Sequence, residues 1–360
     1  MNAPRPTLGV VVPCRNERAV IARKLRNLAL LRWPETDGRP HRIVVVDDGS
    51  EDGTAGVAGA LAGQLFPPHR AAPFGPVVEV VVNDRRPGKA GAVARGLAAV
   101  EFEADLVVLT DADVVLRPDA LVEVADAFAA DPGLGMACGS QEFVRALHED
   151  GTPRGPDGER PAPAPGRYDL WTAKVRAWES RTGRLFSVHG QLLAWRTGLG
   201  IEPTPGVAAD DLDLMCQVRR RALAVRKLDA ARFLEEKTPA GPARAAQELR
   251  RARAYVQVAP RFSLPAGAPL VDRLHFAAYR WLPLAAPWLA LAAGLFLLVQ
   301  VLSWLPSAAG WVALAVLAGG AVSPPGRRLL RLLVVIARAT LHEQAASLGD
   351  RWEMERVRGT

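Results

Sequence analysis

Residues 8–13, LGVVVP, form an unbroken apolar run, the pattern of a strand covered on both faces of a parallel sheet. Ile21, Leu25 and Leu28 then recur at helical spacing and predict a helix, and 43–48, IVVVDD, reads as the next buried strand. The alternation repeats. Val57, Leu61 and Leu65 predict a helix, 77–82 a strand, Val93, Leu97 and Val100 a helix, and 106–111, LVVLTD, a strand. Pro118 suits the first turn of a further helix carrying Leu121, Val124 and Phe128 on one face. Four such units in about 130 residues predict a doubly wound, mostly parallel α/β sheet, whose ligands bind at the carboxyl ends of the strands.

The pattern changes twice. Residues 148–167 are rich in Pro, Gly and charge and read as a mobile loop. From Trp281 to Gly326 there is no Asp, Glu, Lys, Arg or His, a span long enough for two crossings of a bilayer at about 20 residues each. Arg280 precedes this span and Arg327 and Arg328 follow it, which predicts a transmembrane hairpin turning near Pro306 with both ends in the cytosol. Trp281, Trp288, Trp304 and Trp311 would mark the interfaces. Residues 327–341 are too short and too basic for a third crossing and read as a helix lying on anionic headgroups. The expected organisation is a catalytic domain over 1–260, a linker over 261–280, the hairpin over 281–326, and a basic helix and tail over 327–360.

Composition sharpens this picture in three ways. Hydrophobic residues make up 49% of the chain while charge is ordinary at 23%, so the apolar excess is local, and it lies near the C-terminus. The three cysteines, Cys14, Cys138 and Cys216, are far apart and without metal-ligand spacing, which fits a reducing compartment. The N-terminal segment meets charge too soon for a signal peptide, so the first domain is expected in the cytosol, on a multi-pass protein of the cell membrane. A net charge of +7 suits nucleic acid, anionic lipid or a phosphorylated ligand, and charge alone does not choose. The motifs favour the latter two over nucleic acid.

In LVVLTDADV, Asp111 and Asp113 emerge two residues apart from an apolar strand. Two carboxylates there repel each other and lose hydration, which makes sense if a divalent cation bridges them to an anion such as a nucleoside diphosphate. Two aspartates opening a solvated turn is the other reading. In VVVDDGSEDGT, Asp47 and Asp48 close a strand, where a carboxylate could accept hydrogen bonds from a base or ribose. Ordinary turn chemistry explains the same letters. RRPGKAGAVARGL sets Lys89 in a Gly-rich loop at a helix start, suited to phosphate, but without the spacing of a P-loop or of GxGxxG.

Taken in order, VVVPCRNE, VVVDDGSEDGT, GKAGAVARGL and TDADV resemble the family-2 glycosyltransferases, inverting enzymes with a GT-A fold. SVHGQLLAWR at 187–196 is similar to the family's Gly-containing acceptor-side segment, and AADDLDL at 208–214 to its acidic motif. QELRR at 247–251 is similar to the Gln-x-x-Arg-Trp motif of membrane synthases, with Arg251 where Trp is usual. The resemblance covers roughly residues 8–255. It implies that Pro13, Asn16, Glu17, Asp48 and Lys89 line a donor pocket, with Asp111 at the ribose or metal and Asp113 as the main ligand of Mg²⁺ or Mn²⁺. Asp211 matches the catalytic base, and Gln247, Arg250 and Arg251 would hold the donor diphosphate. Capping of a helix by Asp210, Asp211 and Asp213 is the competing reading of DDLD.

The resulting expectation is metal-dependent transfer from a UDP- or GDP-sugar to a lipid or glycan acceptor at the membrane. The residue at 251 and the single hairpin argue against processive polysaccharide synthesis. Nucleotidyl transfer to a sugar phosphate keeps the fold and changes the reaction, and a membrane-tethered scaffold with relic acids is the non-enzymatic alternative.

Overall fold

The structure is a computed structural model that describes residues 5–66, 75–144, 146–152, 167–236, 242–305 and 307–342. The chain divides into two compact units, the first ending at Glu236 among the described residues and the second beginning with the helix at 242.

The first unit holds an eight-stranded sheet. Its strands are β1 (Leu8–Cys14), β2 (Arg42–Asp47), β3 (Val77–Val82), β4 (Leu106–Thr110), β5 (Val115–Leu116), β6 (Leu134–Val144), β7 (Leu192–Arg196) and β8 (Ala224–Glu236), in the order β3-β2-β1-β4-β7-β6-β8-β5. The first four pair in parallel, as their apolar runs predict, and every residue of β1 and β4 is buried. β3 is the edge strand, and its burial is correspondingly partial. Beyond β4 the sheet becomes mixed: β7 runs antiparallel to both β4 and β6, while β8 runs parallel to β6 and antiparallel to β5.

Helices α1 (Arg18–Leu30), α2 (Thr54–Leu65), α3 (Lys89–Val100) and α4 (Ala120–Ala130) follow β1, β2, β3 and β5. Ile21, Leu25, Leu28, Leu121, Val124 and Phe128 all enter one buried cluster with β1, β2 and β4. α3 lies so close to the sheet that a Cβ on Gly96 would fall 2.4 Å from Val11 Cγ1, so glycine sets the distance of approach. Further helices are α5 (Arg167–Arg181) and α6 (Asp210–Arg220). The three cysteines are buried and free, in keeping with a packing role. Most of the loop expected at 148–167 lies outside the described residues.

The second unit holds α7 (Pro242–Val258), α8 (Leu270–Trp304), α9 (Ala308–Val322) and α10 (Pro324–His342). α10 packs on α7, α8 and α9. Among the described residues α8 is the one helix long and apolar enough to cross a membrane, with mean hydropathy 2.1 over its most apolar stretch and 6% of that stretch buried. A core helix of that composition would be covered. Its interior Pro283 and Pro287 do not break it. Trp281 and Trp304 stand at the two ends of its uncharged part, about 34 Å apart along the axis, close to the thickness of a bilayer's hydrocarbon core. α9 departs from the expected second crossing. Its 15 residues reach about 22 Å, short of the roughly 30 Å required. The chain does turn between α8 and α9, although Pro306 itself is outside the described residues. α10 bears the basic residues of 327–341, as expected for that segment.

Candidate functional site

The acidic and basic motifs meet at the carboxyl ends of β1, β2 and β4. Lys89, the first residue of α3, places its ammonium 3.0 Å from Asp111 Oδ1 and 3.5 Å from Asp210 Oδ2. Burial disfavours the charge on Lys89, but Asp111, Asp210 and Asp211 outweigh it and hold the pKa above the ordinary lysine value. Gly88, just before it, has φ +108°, a conformation that L side chains rarely adopt, so the loop reaches Lys89 by way of a glycine.

Asp211 lies one residue into α6. Burial, then the neighbouring charge of Asp210, pushes its carboxyl up to about 6. Asp210, Asp211 and Asp213 all stand in the first turn of α6, where acids favour a helix N-terminus, but the N-cap itself is Ala209 with no side-chain bond, and Asp211 Oδ1 accepts from the adjoining Leu212 N–H at 2.8 Å. Asp213 differs, accepting from Thr204 N–H at 2.8 Å and Gln217 at 3.1 Å, which ties the loop before α6 to the helix. A Cβ on Gly190 would lie 3.3 Å from Asp211 Cβ, so the glycine before β7 leaves the approach to this carboxylate open.

Asp48 is buried, and both its oxygens are engaged: Oδ2 accepts from Gly88 N–H at 2.8 Å and Oδ1 from Asn83 Nδ2 at 2.6 Å, with Arg15 at 3.7 Å. It therefore fastens the loop that carries Lys89. Asp47 accepts from Ser50 N–H at 3.1 Å, while its Oδ1 is buried with no hydrogen-bond partner among the described residues. Pro13 is buried in β1 opposite Val46. Asn16 adopts φ 53°, its N–H donating to Ser50 Oγ at 2.9 Å and its Oδ1 accepting from Glu51 N–H at 3.0 Å. Glu17 is buried, and its N–H donates to Thr54 Oγ1 at 2.9 Å. These residues knit the ends of β1 and β2 together.

One participant was not legible as such. Lys24 of α1 is wholly buried and donates to Thr110 Oγ1 at 2.7 Å and to the Val114 carbonyl at 3.1 Å, spanning both ends of the Asp111–Asp113 turn. Thr110 Oγ1 in turn donates to the Gln191 carbonyl at 2.9 Å, beside Gly190. Burial lowers Lys24 to about 7, against the attraction of Asp111 and Asp113. Its position among Ile21, Leu25 and Leu28, on the apolar face of α1, is the signal that could have found it. Arg23 joins from the same helix, donating to the Asp113 carbonyl at 3.4 Å. Asp210, expected only as a possible cap, is the second acid on Lys89.

Gln247, Arg250 and Arg251 lie on α7 of the second unit, where the i, i+3 spacing sets Gln247 and Arg250 on one helix face and Arg250 and Arg251 are exposed. Among the described residues no group of three His, Cys, Asp or Glu side chains is arranged to hold a metal by itself.

An acid-lined edge where a parallel half-sheet meets a mixed one, with a lysine gripped between two of the acids, is the GT-A type of α/β enzyme. Residues 9–165 match the model for glycosyl transferase family 2, and the chain is a glycosyltransferase that carries this family's domain. A mannosyltransferase from Pyrobaculum calidifontis, solved with GDP-mannose and Mn²⁺, superposes with a TM-score of 0.69 at 24% identity, over 95% of this chain and 89% of that one. Glucosyl-3-phosphoglycerate synthase from Mycobacterium tuberculosis, solved with phosphoglyceric acid, aligns at 19% identity over 73% of this chain and 82% of that one, with a TM-score of 0.47. No curated protein sequence matches the chain.

Proposed function

We propose that the chain transfers a sugar, with inversion, from a nucleoside-diphosphate donor to a lipid-linked or otherwise membrane-located acceptor. The observation that carries this reading is the Lys89 bridge to Asp111 and Asp210, with Asp211 of raised pKa beside it. Lys89 supplies positive charge where a diphosphate would lie. Asp211 takes the proton of the acceptor hydroxyl as that oxygen attacks the anomeric carbon, and a carboxyl titrating near 6 is better matched to this task at neutral pH than an ordinary aspartate.

The donor set fits a hard divalent cation: Asp111 and Asp113 offer carboxylate oxygens of the kind Mg²⁺ and Mn²⁺ take, with diphosphate oxygens to complete the shell. The ammonium seated against Asp111 is itself evidence that this edge favours positive charge. Bound there, the ion would neutralise charge on the departing diphosphate. Lys24 and Arg23 brace the backbone that presents these two acids. Gln247, Arg250 and Arg251 remain our candidates for further diphosphate contacts, and Pro13, Asn16, Glu17 and Asp48 for the nucleoside side.

The exposed apolar face of α8 supports a membrane location; the basic residues Arg273 and Arg280 before its uncharged part argue for the cytosolic side at that end, and α9 and α10 would lie at or within the interface. UDP- and GDP-sugars are both open as donors. The full chain in detergent, given each donor and Mn²⁺, should release nucleoside diphosphate in the presence of a lipid extract, and Asp113→Asn and Asp211→Asn should each lower release by about a hundredfold or more. Unimpaired turnover in both variants would refute the mechanism. Pyrophosphate release from a nucleoside triphosphate and a sugar phosphate would instead establish nucleotidyl transfer.

A further inference from the structure

Within the second unit, a cavity of about 360 Å³ lies between the segment 262–266 and the first turns of α8. Arg273, Phe276 and Arg280, at i, i+3 and i+7, bring one face of α8 to it, and Trp281 closes the row. Arg280 is held in place: its Nη1 donates to the Phe262 carbonyl at 3.3 Å, and its guanidinium lies 4.8 Å from the centre of the Trp281 ring. Phe262 stands edge-on to Phe276 at 6.3 Å and to Tyr255 at 5.8 Å, so the floor is a packed aromatic cluster. Arg273 is exposed, and no described acid pairs with it. Two guanidiniums thus border a cavity at the point where α8 changes from a charged helix to one without charge.

We propose that this cavity binds the phosphate headgroup of an anionic bilayer lipid. This rests on the membrane reading of α8 but not on the identity of the donor or acceptor. Arg280 immediately precedes Trp281, a residue type that settles at the headgroup level, and Arg273 lies about 10 Å further out along the helix. Those positions bracket the interfacial layer on one side of a bilayer. Guanidinium forks match phosphate oxygens in charge and in bidentate geometry, which favours phosphate over a neutral headgroup. The apolar surface of α8 beyond Trp281 continues from the cavity and would lie along the acyl chains, which a free phosphate or nucleotide lacks.

The test uses the full chain in phosphatidylcholine vesicles with and without a minor fraction of phosphatidic acid, reading labelled phosphatidic acid bound to the protein. Each of Arg273→Gln and Arg280→Gln should lower that binding about fivefold, the expected contribution of one basic residue at an anionic surface. Arg117→Gln in the first unit should leave it unchanged. Equal binding by wild type and both pocket variants would overturn the proposal, and so would complete displacement of the lipid by inorganic phosphate. Retention in pure phosphatidylcholine vesicles after an alkaline wash reports on the membrane reading separately. A chain that washes off refutes both ideas, whereas one that stays but ignores phosphatidic acid refutes only this one.

Discussion

The two units use the same apolar residue types in opposite directions. In the first, Val10, Val12, Val45 and Val108 are wholly buried, and two charges that enter the interior find partners there: Lys24 in Thr110 and Val114, Asp48 in Gly88 and Asn83. In the second, Leu295, Phe296 and Val299 of α8 are more than half exposed and no charge lies near them in sequence. Hydrophobicity therefore builds a core in one unit and a surface for a different solvent in the other. Environment, not composition, decides what a given leucine or valine stabilises.

The sharpest way to break this comparison is to put a charge into each kind of apolar site. Val108→Asp should abolish folding of the first unit, because an unpaired carboxylate in a closed core costs more than a typical domain's stability margin. Loss of soluble expression of residues 1–239 and of its circular dichroism would show it. Asp211→Asn should leave that fold intact and lower transfer by about 10²–10⁴-fold, the usual contribution of a general base, read as kcat/KM with a saturating acceptor. Leu295→Arg should leave donor-induced thermal shifts unaltered while weakening membrane retention by about 3 kcal/mol, measured by alkaline extraction. If Leu295→Arg instead unfolds the protein in detergent, α8 is a covered helix and the contrast fails.

Titration sharpens the contrast on a finer scale. Lys24 has a folded-state pKa lowered to about 7, below the unfolded value, so the unfolded chain binds the extra proton between about 7 and 10.5 and stability rises with pH across that window. Lys24→Met should flatten the rise, which for one proton approaches about 1.4 kcal/mol per pH unit, as followed by chemical denaturation. Asp211 has the opposite sign. Its pKa is raised, so its contribution is present below about 4 and is lost as pH climbs through about 6. Asp211→Asn should gain stability on the order of 1 kcal/mol at pH 7, and wild-type transfer should fall as pH drops through 6. The smallest effect belongs to the exposed Arg117–Glu142 pair, where Arg117→Gln should change stability by less than about 1 kcal/mol.

The first half of the sheet could be read from the chain because β1, β2 and β4 are unbroken apolar runs, each followed by a helix with one apolar face. The second half hid for a physical reason. β6 and β8 pair with two register shifts, and β8, AVRKLDAARFLEE, places charges along a partly exposed strand, so neither shows a steady period. At the site, Asp111, Asp211 and Lys89 were brought forward by their motifs and the structure brings them together. Lys24 escaped because a lysine in a helical stripe suggests solvent, and only the third dimension reveals the hydroxyl and carbonyl that receive it. The hairpin was half legible: absence of charge marks where lipid is tolerated, but the length of α9 depends on where the chain turns.

One consequence follows from the way Asp48 is held. With one oxygen on Gly88 and the other on Asn83, this acid works as a latch between the end of β2 and the loop that delivers Lys89. A change at position 83 would release half of the latch without altering any acid that faces the donor. Relatives of this chain could thus vary how firmly they present the lysine, and so which donors they tolerate, through a residue that no search for charged motifs would single out.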